Sequence, residues 1–216
     1  MHPVTTKLLA VEGLGMAFSG QALFSGLSFG FGPGAVALMG PNGTGKSTLL
    51  SLLAGVAPQQ SGRILVGGHD LAGEPRRARA LLAWVPDEAV AYDFMTGDEF
   101  LRFVLVLRGQ GKAPALPGLL DGLGLAPHTG KRFGTMSLGT RKKFMLAAGL
   151  ASEALLVLMD EPTNGIDAQA KAFLLEVFRR EGDRRLFFFS THDQEAVAGS
   201  RAQVFALPGE EARSAA

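Results

Sequence analysis

The stretch GPNGTGKST, at residues 40–48, constrains the fold more than any other feature of the sequence. It satisfies the pattern G-x-x-x-x-G-K-[ST], in which the backbone N–H groups of a glycine-rich loop surround phosphate groups. The apolar run AVALMG (35–40) precedes it, and the helix-like run KSTLLSLLAG (46–55) follows it. This strand–loop–helix context predicts an α/β fold around a parallel sheet. The alternative is a glycine-rich turn before a helix, without a ligand.

Each residue type in the loop suits a particular contact with a nucleotide. The three glycines permit a tight turn, and the following helix directs its positive N-terminal end at the phosphates. Lys46 can bridge the β- and γ-phosphates, Ser47 can ligate Mg²⁺ and Thr48 can reach the α-phosphate. The predicted nucleotide contacts in the loop are Gly40, Pro41, Asn42, Gly43, Thr44, Gly45, Lys46, Ser47 and Thr48.

A second apolar run, ALLVLMDEP (154–162), ends in two acids. A parallel strand here would place Asp160 at the carboxyl edge of the sheet, beside the phosphate loop, where it would hold Mg²⁺ directly or through water. Glu161 would then be the base that polarises the attacking water. The alternative is a solvated pair of acids at the end of a strand.

A third apolar run, RLFFFSTHD (185–193), leads His192 to the same edge of the sheet. A neutral imidazole there could form a hydrogen bond with the γ-phosphate and sense its loss. The alternative is a solvated loop histidine. Lys46, Glu161 and His192 are therefore the predicted catalytic residues.

Alternation of strands and helices on both sides of a helical stretch predicts the domain organisation. Residues 1–216 would form a single domain, with a nucleotide-binding core at 1–87 and 151–216 and an inserted helical subdomain at 88–150. The core would include an N-terminal antiparallel β subdomain. The predicted strands of that subdomain begin with 8–13 and 27–34, and the predicted helices of the insertion cover 97–108, 115–124 and 140–151.

Composition excludes several classes of protein. The chain is 47% hydrophobic and 19% charged, which argues against disorder, and its net charge of +1 predicts no nucleic-acid partner. There are no cysteines, and the four histidines lack the spacing of a metal site. The N-terminus lacks a signal-peptide core, and no stretch approaches the ~20 apolar residues that span a bilayer. These features predict a soluble or peripheral protein.

The ordered set GPNGTGKST, MSLGT, LLVLMDEPTNGID and STHD resembles the ATP-binding subunit of an ABC transporter, over about residues 7–207. The resemblance implies that ATP and Mg²⁺ bind and that two such subunits, expected to be identical, close face to face over two ATPs. Ser137 and the Gly139 amide would contact the γ-phosphate held by the other subunit, and Asn164–Asp167 would meet that subunit. Phe18 would stack on adenine; the alternative for Phe18 is a core aromatic.

The resemblance also implies a separate integral-membrane permease, which would hold this chain at the cytoplasmic face of the cell membrane. Two departures from the common pattern point to a branch. The signature is usually LSGGQ, whereas Leu138 and Thr140 replace its first glycine and its glutamine here. In WVPDEA (84–89) Asp87 stands where glutamine is usual, and this acid could still orient Mg²⁺ or water. Both departures, together with PTNGID (162–167), resemble the branch of bacitracin-resistance and other drug, peptide or sodium exporters.

Two further segments, one basic and one apolar, each allow more than one interpretation. Arg141, Lys142 and Lys143 oppose the dipole of the helix that they begin, so they are predicted to face solvent, a partner or phosphate. In MTGDEFLRFVLVLRG (95–109) the spacing of Thr96 and Glu99 predicts a capped helix with almost no polar face. One side of it would pack in the helical subdomain and another would receive a cytoplasmic helix of the permease; the alternative is complete burial.

Two rival functions remain at the level of sequence. One is a soluble ABC-type ATPase acting in translation, metal-cluster assembly or DNA maintenance, although the chain has neither tandem cassettes nor a long coiled-coil insertion. The other is a nucleotide-binding regulatory module with weak hydrolysis. Glu161 and His192 argue against the second rival, whereas Leu138 and Asp87 favour it.

Overall fold

The computed structural model describes residues 7–18, 21–88, 91–110 and 113–207. Its strands are β1 (Leu9–Phe18), β2 (Gln21–Phe31), β3 (Gly34–Met39), β4 (Ser61–Val66), β5 (His69–Asp70), β6 (Leu82–Val85), β7 (Leu156–Met159), β8 (Leu186–Ser190) and β9 (Gln203–Ala206). Its α-helices are α1 (Lys46–Leu53), α2 (Pro75–Ala80), α3 (Gly97–Leu107), α4 (Leu116–Gly122), α5 (Leu138–Ala151), α6 (Ala168–Glu181) and α7 (Gln194–Ser200). Two short 3₁₀ helices, Ala126–His128 and Phe133–Thr135, precede α5.

A parallel sheet of five strands, in the order β6-β7-β8-β3-β9, forms the centre of the fold. All residues of β7 and β8 are buried, which explains why both strands are continuous apolar runs. Successive phenylalanines of β8 point to opposite faces, so Phe187 and Phe189 join one hydrophobic cluster and Phe188 joins the other. The predicted α/β fold with a parallel core is confirmed.

The N-terminal strands form an antiparallel sheet in the order β2-β1-β4-β5. The predicted bounds of its first strands were wrong: β1 extends to Phe18, and β2 begins at Gln21 and ends at Phe31. Gly13 and Gly26 have positive φ (61° and 67°), and β1 pairs with β2 through several register shifts. These irregularities interrupt the alternation of apolar and polar residues from which a strand is predicted.

Helices α3, α4 and α5 lie between β6 and β7 in chain order, as the three helix-like runs predicted. Thr96 caps α3 in a reciprocal arrangement with Glu99: the Glu99 N–H donates to Thr96 Oγ1, and the Thr96 N–H donates to the Glu99 carboxylate. Phe100, Phe133 and Phe144 pack together and join α3 to α5. The division into a core and a helical subdomain at 88–150 stays a prediction. Within the described residues, no helix is both long and apolar enough to cross a membrane.

Candidate nucleotide-binding site

The loop between β3 and α1 has the conformation that its glycines permit. Gly43 and Gly45 have positive φ (81° and 92°), and a Cβ on Gly45 would lie 2.9 Å from the Leu23 side chain. The Lys46 ammonium donates to the carbonyls of Gly40 (2.7 Å) and Pro41 (3.1 Å). The loop therefore curls around its own lysine at the N-terminus of α1.

The carboxyl ends of β3, β6, β7 and β8 meet at one edge of the parallel sheet, because parallel strands in this order point the same way. A cavity of about 520 Å³ lies there. It is lined by Leu23, Asn42, Gly43, Gly45, Lys46, Ser47, Thr48, Asp87, Asp160, Glu161 and His192. The structure thus brings together loop residues and strand-end residues that are up to 150 positions apart, as Asn42 and His192 are.

Asp160 and Glu161 are fixed by a serine from the neighbouring strand. The Ser190 hydroxyl donates to Asp160 Oδ1 at 2.5 Å, and the Glu161 N–H donates to Ser190 Oγ at 2.8 Å. Ser190 is completely buried, and Met159 pairs with Phe189 in the sheet, so the next residues of the two strands lie side by side. Ser190 was missed in the sequence analysis, although a serine that ends the apolar run LFFF beside a strand ending in aspartate is a recognisable signal.

Glu161 has an unusual backbone and an unusual carboxylate. Its φ is 44°, a left-handed value that only one other non-glycine residue, Arg201, shares in the described part of the chain. Oε1 lies 3.4 Å from His192 Nε2, and Oε2 is buried without a hydrogen-bond partner among the described residues. Burial is the main cause that raises the pKa of Glu161; the nearby His192 opposes this rise, and the Asp160 charge adds to it.

The donor set of the cavity fits a divalent cation together with phosphates. Asp87, Asp160 and Glu161 supply carboxylate oxygens and Ser47 supplies a hydroxyl, which are the hard ligands that Mg²⁺ prefers. The buried and unpartnered Glu161 Oε2 is an acceptor that a water molecule inside the cavity could satisfy. These carboxyl groups beside a polyphosphate would also favour a bound cation that offsets the negative charge.

Ser137 and Gly139 do not line this cavity. Ser137 caps α5 by accepting a hydrogen bond from the Thr140 N–H (3.2 Å), and Leu138 is 80% exposed. Leu138 is the first helical residue and has no positive φ, so the glycine that is usual at this position is not required by the backbone. Gly139 is required, because a Cβ there would lie 2.3 Å from the Gly165 carbonyl oxygen.

A second cavity, of about 460 Å³, lies beside this helix start. Its lining residues are Asp87, Glu88, Leu138, Gly139, Lys142, Asn164 and Gly165. Asp87 lines both cavities and therefore stands in the wall between them. The phosphate loop and the start of α5 therefore line two adjacent but separate cavities.

Three basic residues, Arg141, Lys142 and Lys143, lie in the first turns of α5. The prediction that they face solvent, a partner or phosphate is wrong. Each pairs with an acid of a different loop of this chain: Arg141 with Asp93 (3.4 Å), Lys142 with Asp87 (2.6 Å) and Lys143 with Asp167 (2.9 Å). Lys142 and Lys143 are buried. The unfavourable helix dipole is thus offset by carboxylates that come from 48 and 55 residues upstream and 24 residues downstream.

Some of the predicted site residues do not line the cavity, and one lining residue was not predicted. Phe18 ends β1, but its side chain lies outside what the structure describes. Gly40, Pro41 and Thr44 belong to the loop without lining the cavity; the first two present their carbonyls to Lys46, and the Thr44 hydroxyl donates to the Pro41 carbonyl. Leu23 lines the cavity from β2 and has no sequence signal that could have predicted it.

Comparison with known proteins decides the family. A family model described as "ABC transporter" matches residues 24–164, about two thirds of the chain. The chain belongs to the ABC transporter family. A second model, described as "AAA domain, putative AbiEii toxin, Type IV TA system", matches the shorter stretch 131–198. As a family member, the chain contains an ABC-type nucleotide-binding domain.

Individual relatives agree with this assignment. The chain is 31% identical over 196 residues to the linearmycin resistance ATP-binding protein LnrL of Bacillus subtilis (strain 168), covering 88% of this chain and 63% of LnrL. It is 31% identical over 206 residues to the human phospholipid-transporting ATPase ABCA7, covering 92% of this chain and 10% of ABCA7. This chain therefore spans less than two thirds of the length of these curated relatives.

Solved structures show the same fold. A structure described as the ATP binding subunit of an ABC transporter superposes with a TM-score of 0.85 at 28% identity, covering 93% of this chain and 85% of that chain. A bacterial Atm1-family ABC exporter with ATP bound superposes with a TM-score of 0.80 at 22% identity, over 95% of this chain and 38% of that one. The narrower assignment to a bacitracin-resistance-like branch stays a prediction.

Proposed function

We propose that this chain binds ATP with Mg²⁺, dimerises around it and hydrolyses it to drive a separate membrane permease, as an exporter. The observation that carries the proposal is the single cavity in which the phosphate loop, the two strand-end acids and His192 meet. A phosphate cradle, carboxylates for a cation and a candidate base are the parts that phosphoryl transfer to water requires.

The loop and the acids would bind the triphosphate together with its cation. Lys46 would contact the β- and γ-phosphates, Thr48 would contact the α-phosphate, and Ser47 and Asp160 would hold Mg²⁺. Asp87 has one oxygen bound to Lys142, so its other oxygen orients Mg²⁺ or water. When bound, Mg²⁺ neutralises charge on the phosphates and favours departure of the diphosphate.

Glu161 would act as the base. Water attacks the γ-phosphorus, the bond from phosphorus to the β–γ bridging oxygen breaks, and Glu161 accepts the proton of the water on its unpartnered Oε2. His192 Nε2 lies 3.4 Å from Oε1, and with ATP bound this imidazole would instead donate a hydrogen bond to the γ-phosphate. The raised pKa of Glu161 makes its carboxylate a stronger base than an exposed glutamate.

Removal of the Lys46 ammonium tests nucleotide binding. In Lys46→Ala we expect ATP to bind about 10- to 100-fold more weakly, because charge-assisted hydrogen bonds to the phosphates are lost. Titration calorimetry with Mg-ATP measures the affinity. Arg63→Ala, which removes an exposed cation of the antiparallel sheet, is the control and should bind normally. Equal affinity of Lys46→Ala and the wild type would contradict the proposed site.

The start of α5 would cap the nucleotide of the other subunit. Ser137 and Gly139 lie outside the cavity of their own chain, and an exposed hydroxyl with backbone amides at a helix N-terminus favours an anion. Asn164 and Gly165 line the second cavity beside them, which supports the proposal that Asn164–Asp167 meets the partner. The second subunit is expected to be a copy of this chain, with Phe18 stacked on adenine.

The surface that would receive the permease is apolar and exposed. Phe100, Leu101 and Leu105 of α3 are buried. Phe103, Val106 and Leu107 of the same helix are exposed, so the alternative that all of α3 is covered within this chain is wrong. The exposed side chains form what we call the aromatic surface: Tyr92, Phe94, Phe103, Val106 and Leu107. The rings of Tyr92 and Phe94 stack with centroids 5.4 Å apart, and a groove of about 310 Å³ runs beside Phe103. By binding the permease through the aromatic surface, the chain would be held as a peripheral subunit at the cytoplasmic face of the membrane.

Charge on the aromatic surface tests the permease contact. We expect the pair Phe103→Glu and Val106→Glu to abolish copurification with the permease, because a buried carboxylate without a partner is costly. Nucleotide affinity should not change. Val56→Glu, which alters an apolar side chain that is 67% exposed elsewhere, is the matched control. If the double variant still copurifies with the permease, the proposal that the permease binds the aromatic surface is wrong.

A further inference from the structure

Lys142 joins α5 to two loops of the nucleotide cavity. Its Nζ donates to Asp87 Oδ1 at 2.6 Å and to the backbone carbonyl of Glu161 at 2.6 Å. Only 7% of the Lys142 side chain is exposed, so its charge has lost most of its hydration. A buried ammonium is stable only where oxygens replace the lost water, and these two oxygens do so.

Glu161 needs to be held in place. Its φ of 44° is a left-handed conformation that is strained for a residue with a side chain. Both backbone polar groups of Glu161 are hydrogen-bonded: its N–H donates to Ser190 Oγ, and its carbonyl accepts from Lys142 Nζ. This turn directs the carboxylate into the nucleotide cavity, where Oε2 has no partner within the described residues.

We propose that Lys142 is a positioning residue for ATP hydrolysis, which holds the strained turn at Glu161 and links the base to Asp87 and α5. The inference rests on the proposed function of this site. Lys142 does not line the nucleotide cavity, so it acts through Glu161 rather than on ATP itself. It stands five positions after Ser137, little more than one helical turn, so a movement of the start of α5 reaches the base through this side chain.

A positioning role and a purely structural role predict different kinetics. An ion pair that only stabilised the fold would lower the melting temperature, and the folded fraction would keep its turnover number. Loss of a positioning contact leaves ATP affinity and KM nearly unchanged and lowers kcat, because the base is misdirected only when the water reacts.

The test uses the purified chain with Mg-ATP and compares three variants. Lys142→Met keeps the stem of the side chain and removes the ammonium; we expect kcat to fall by about tenfold or more with KM within about threefold of the wild type. Lys142→Arg can donate to both oxygens, so it should restore kcat to within about threefold. Arg102→Met removes an exposed ion pair of α3 and should leave both constants unchanged.

The outcomes separate this inference from the proposed function. Glu161→Gln is measured alongside: if it loses turnover while Lys142→Met keeps a wild-type kcat, the positioning role is wrong and the proposed function stands. The positioning role is also wrong if Lys142→Met changes only KM or ATP affinity and keeps the wild-type kcat. If the wild type does not hydrolyse ATP, the proposed function fails and this inference fails with it. Lys142→Gln, judged by the same criteria, replaces Lys142→Met should circular dichroism show that variant unfolded.

Discussion

Glu161→Gln is expected to lower ATP turnover by about 10²- to 10⁴-fold, the usual contribution of a positioned general base. The amide keeps the shape of the side chain and can still meet His192 at 3.4 Å, but it cannot accept a proton from water. ATP should therefore bind and remain intact. Because closure over ATP would no longer be reversed by hydrolysis, the variant should elute as a dimer on size-exclusion chromatography with Mg-ATP and as a monomer without it.

Phosphate release measures the turnover of this variant. Glu153→Gln, at an exposed glutamate just after α5, is the matched control and should hydrolyse ATP normally. A Glu161→Gln variant with more than about one tenth of wild-type turnover would exclude Glu161 as the base. Absence of any ATP-dependent dimer would instead favour the regulatory module that the sequence left open.

The same variant reports on the raised pKa of Glu161 through stability. The folded state holds the Glu161 proton more tightly than the unfolded state, so wild-type stability falls as pH rises through the folded pKa. Above that pKa the wild type contains a buried charge that glutamine lacks. Without nucleotide and metal, Glu161→Gln should therefore melt about 2 °C or more above the wild type at pH 8, and the difference should vanish below the ordinary pKa of glutamate.

Ser137→Arg is expected to block hydrolysis almost completely while a monomer still binds ATP with near-normal affinity. Ser137 lies outside the nucleotide cavity of its own chain, so the arginine does not touch ATP bound there. In the dimer, the bulky side chain would occupy the space of the γ-phosphate of the opposite subunit and remove the serine hydroxyl from it. The loss of the cap on α5 costs about 1 kcal/mol, which is too little to unfold the chain.

Two measurements distinguish this effect from unfolding. Nucleotide affinity of the dilute variant is compared with its turnover at high protein concentration, where wild-type hydrolysis should rise with concentration and that of the variant should not. Gln203→Arg, which places the same side chain on the exposed edge strand β9, is the control and should hydrolyse ATP normally. Normal turnover by Ser137→Arg would contradict the assignment of this helix start to the partner's ATP.

The parts of the molecule that were predictable are those in which local sequence determines local structure. The loop around Lys46 sits between a strand and a helix, as its pattern requires, and the acids and His192 follow buried strands. Because parallel strands bring their carboxyl ends to one edge, three short motifs were sufficient to predict one site. The capped start of α3 at Thr96 likewise depended on residues only three positions apart.

The features that were not predictable depend on distant partners. Nothing within the segment around Lys142 shows that its acid lies 55 residues upstream, so a buried ion pair looked like a charged helix start. The left-handed backbone of Glu161 is also invisible in the sequence, since no glycine marks it and its hydrogen bonds go to the distant Ser190 and Lys142. The bounds of β1 and β2 failed for a local reason, because glycine-containing irregularities hid the alternation.

The contact between Asp87 and Lys142 also limits how this sequence can diverge or be recombined. Glutamine, the usual residue of the family at position 87, would leave the buried Lys142 ammonium without its carboxylate, which is a costly intermediate. Asp87 and Lys142 are therefore expected to change together among descendants of this chain. In a chimera that grafts α3 to α5 from a relative, the junction must carry both positions from the same parent, because a mixed pair would leave one charge unmatched between the graft and its host.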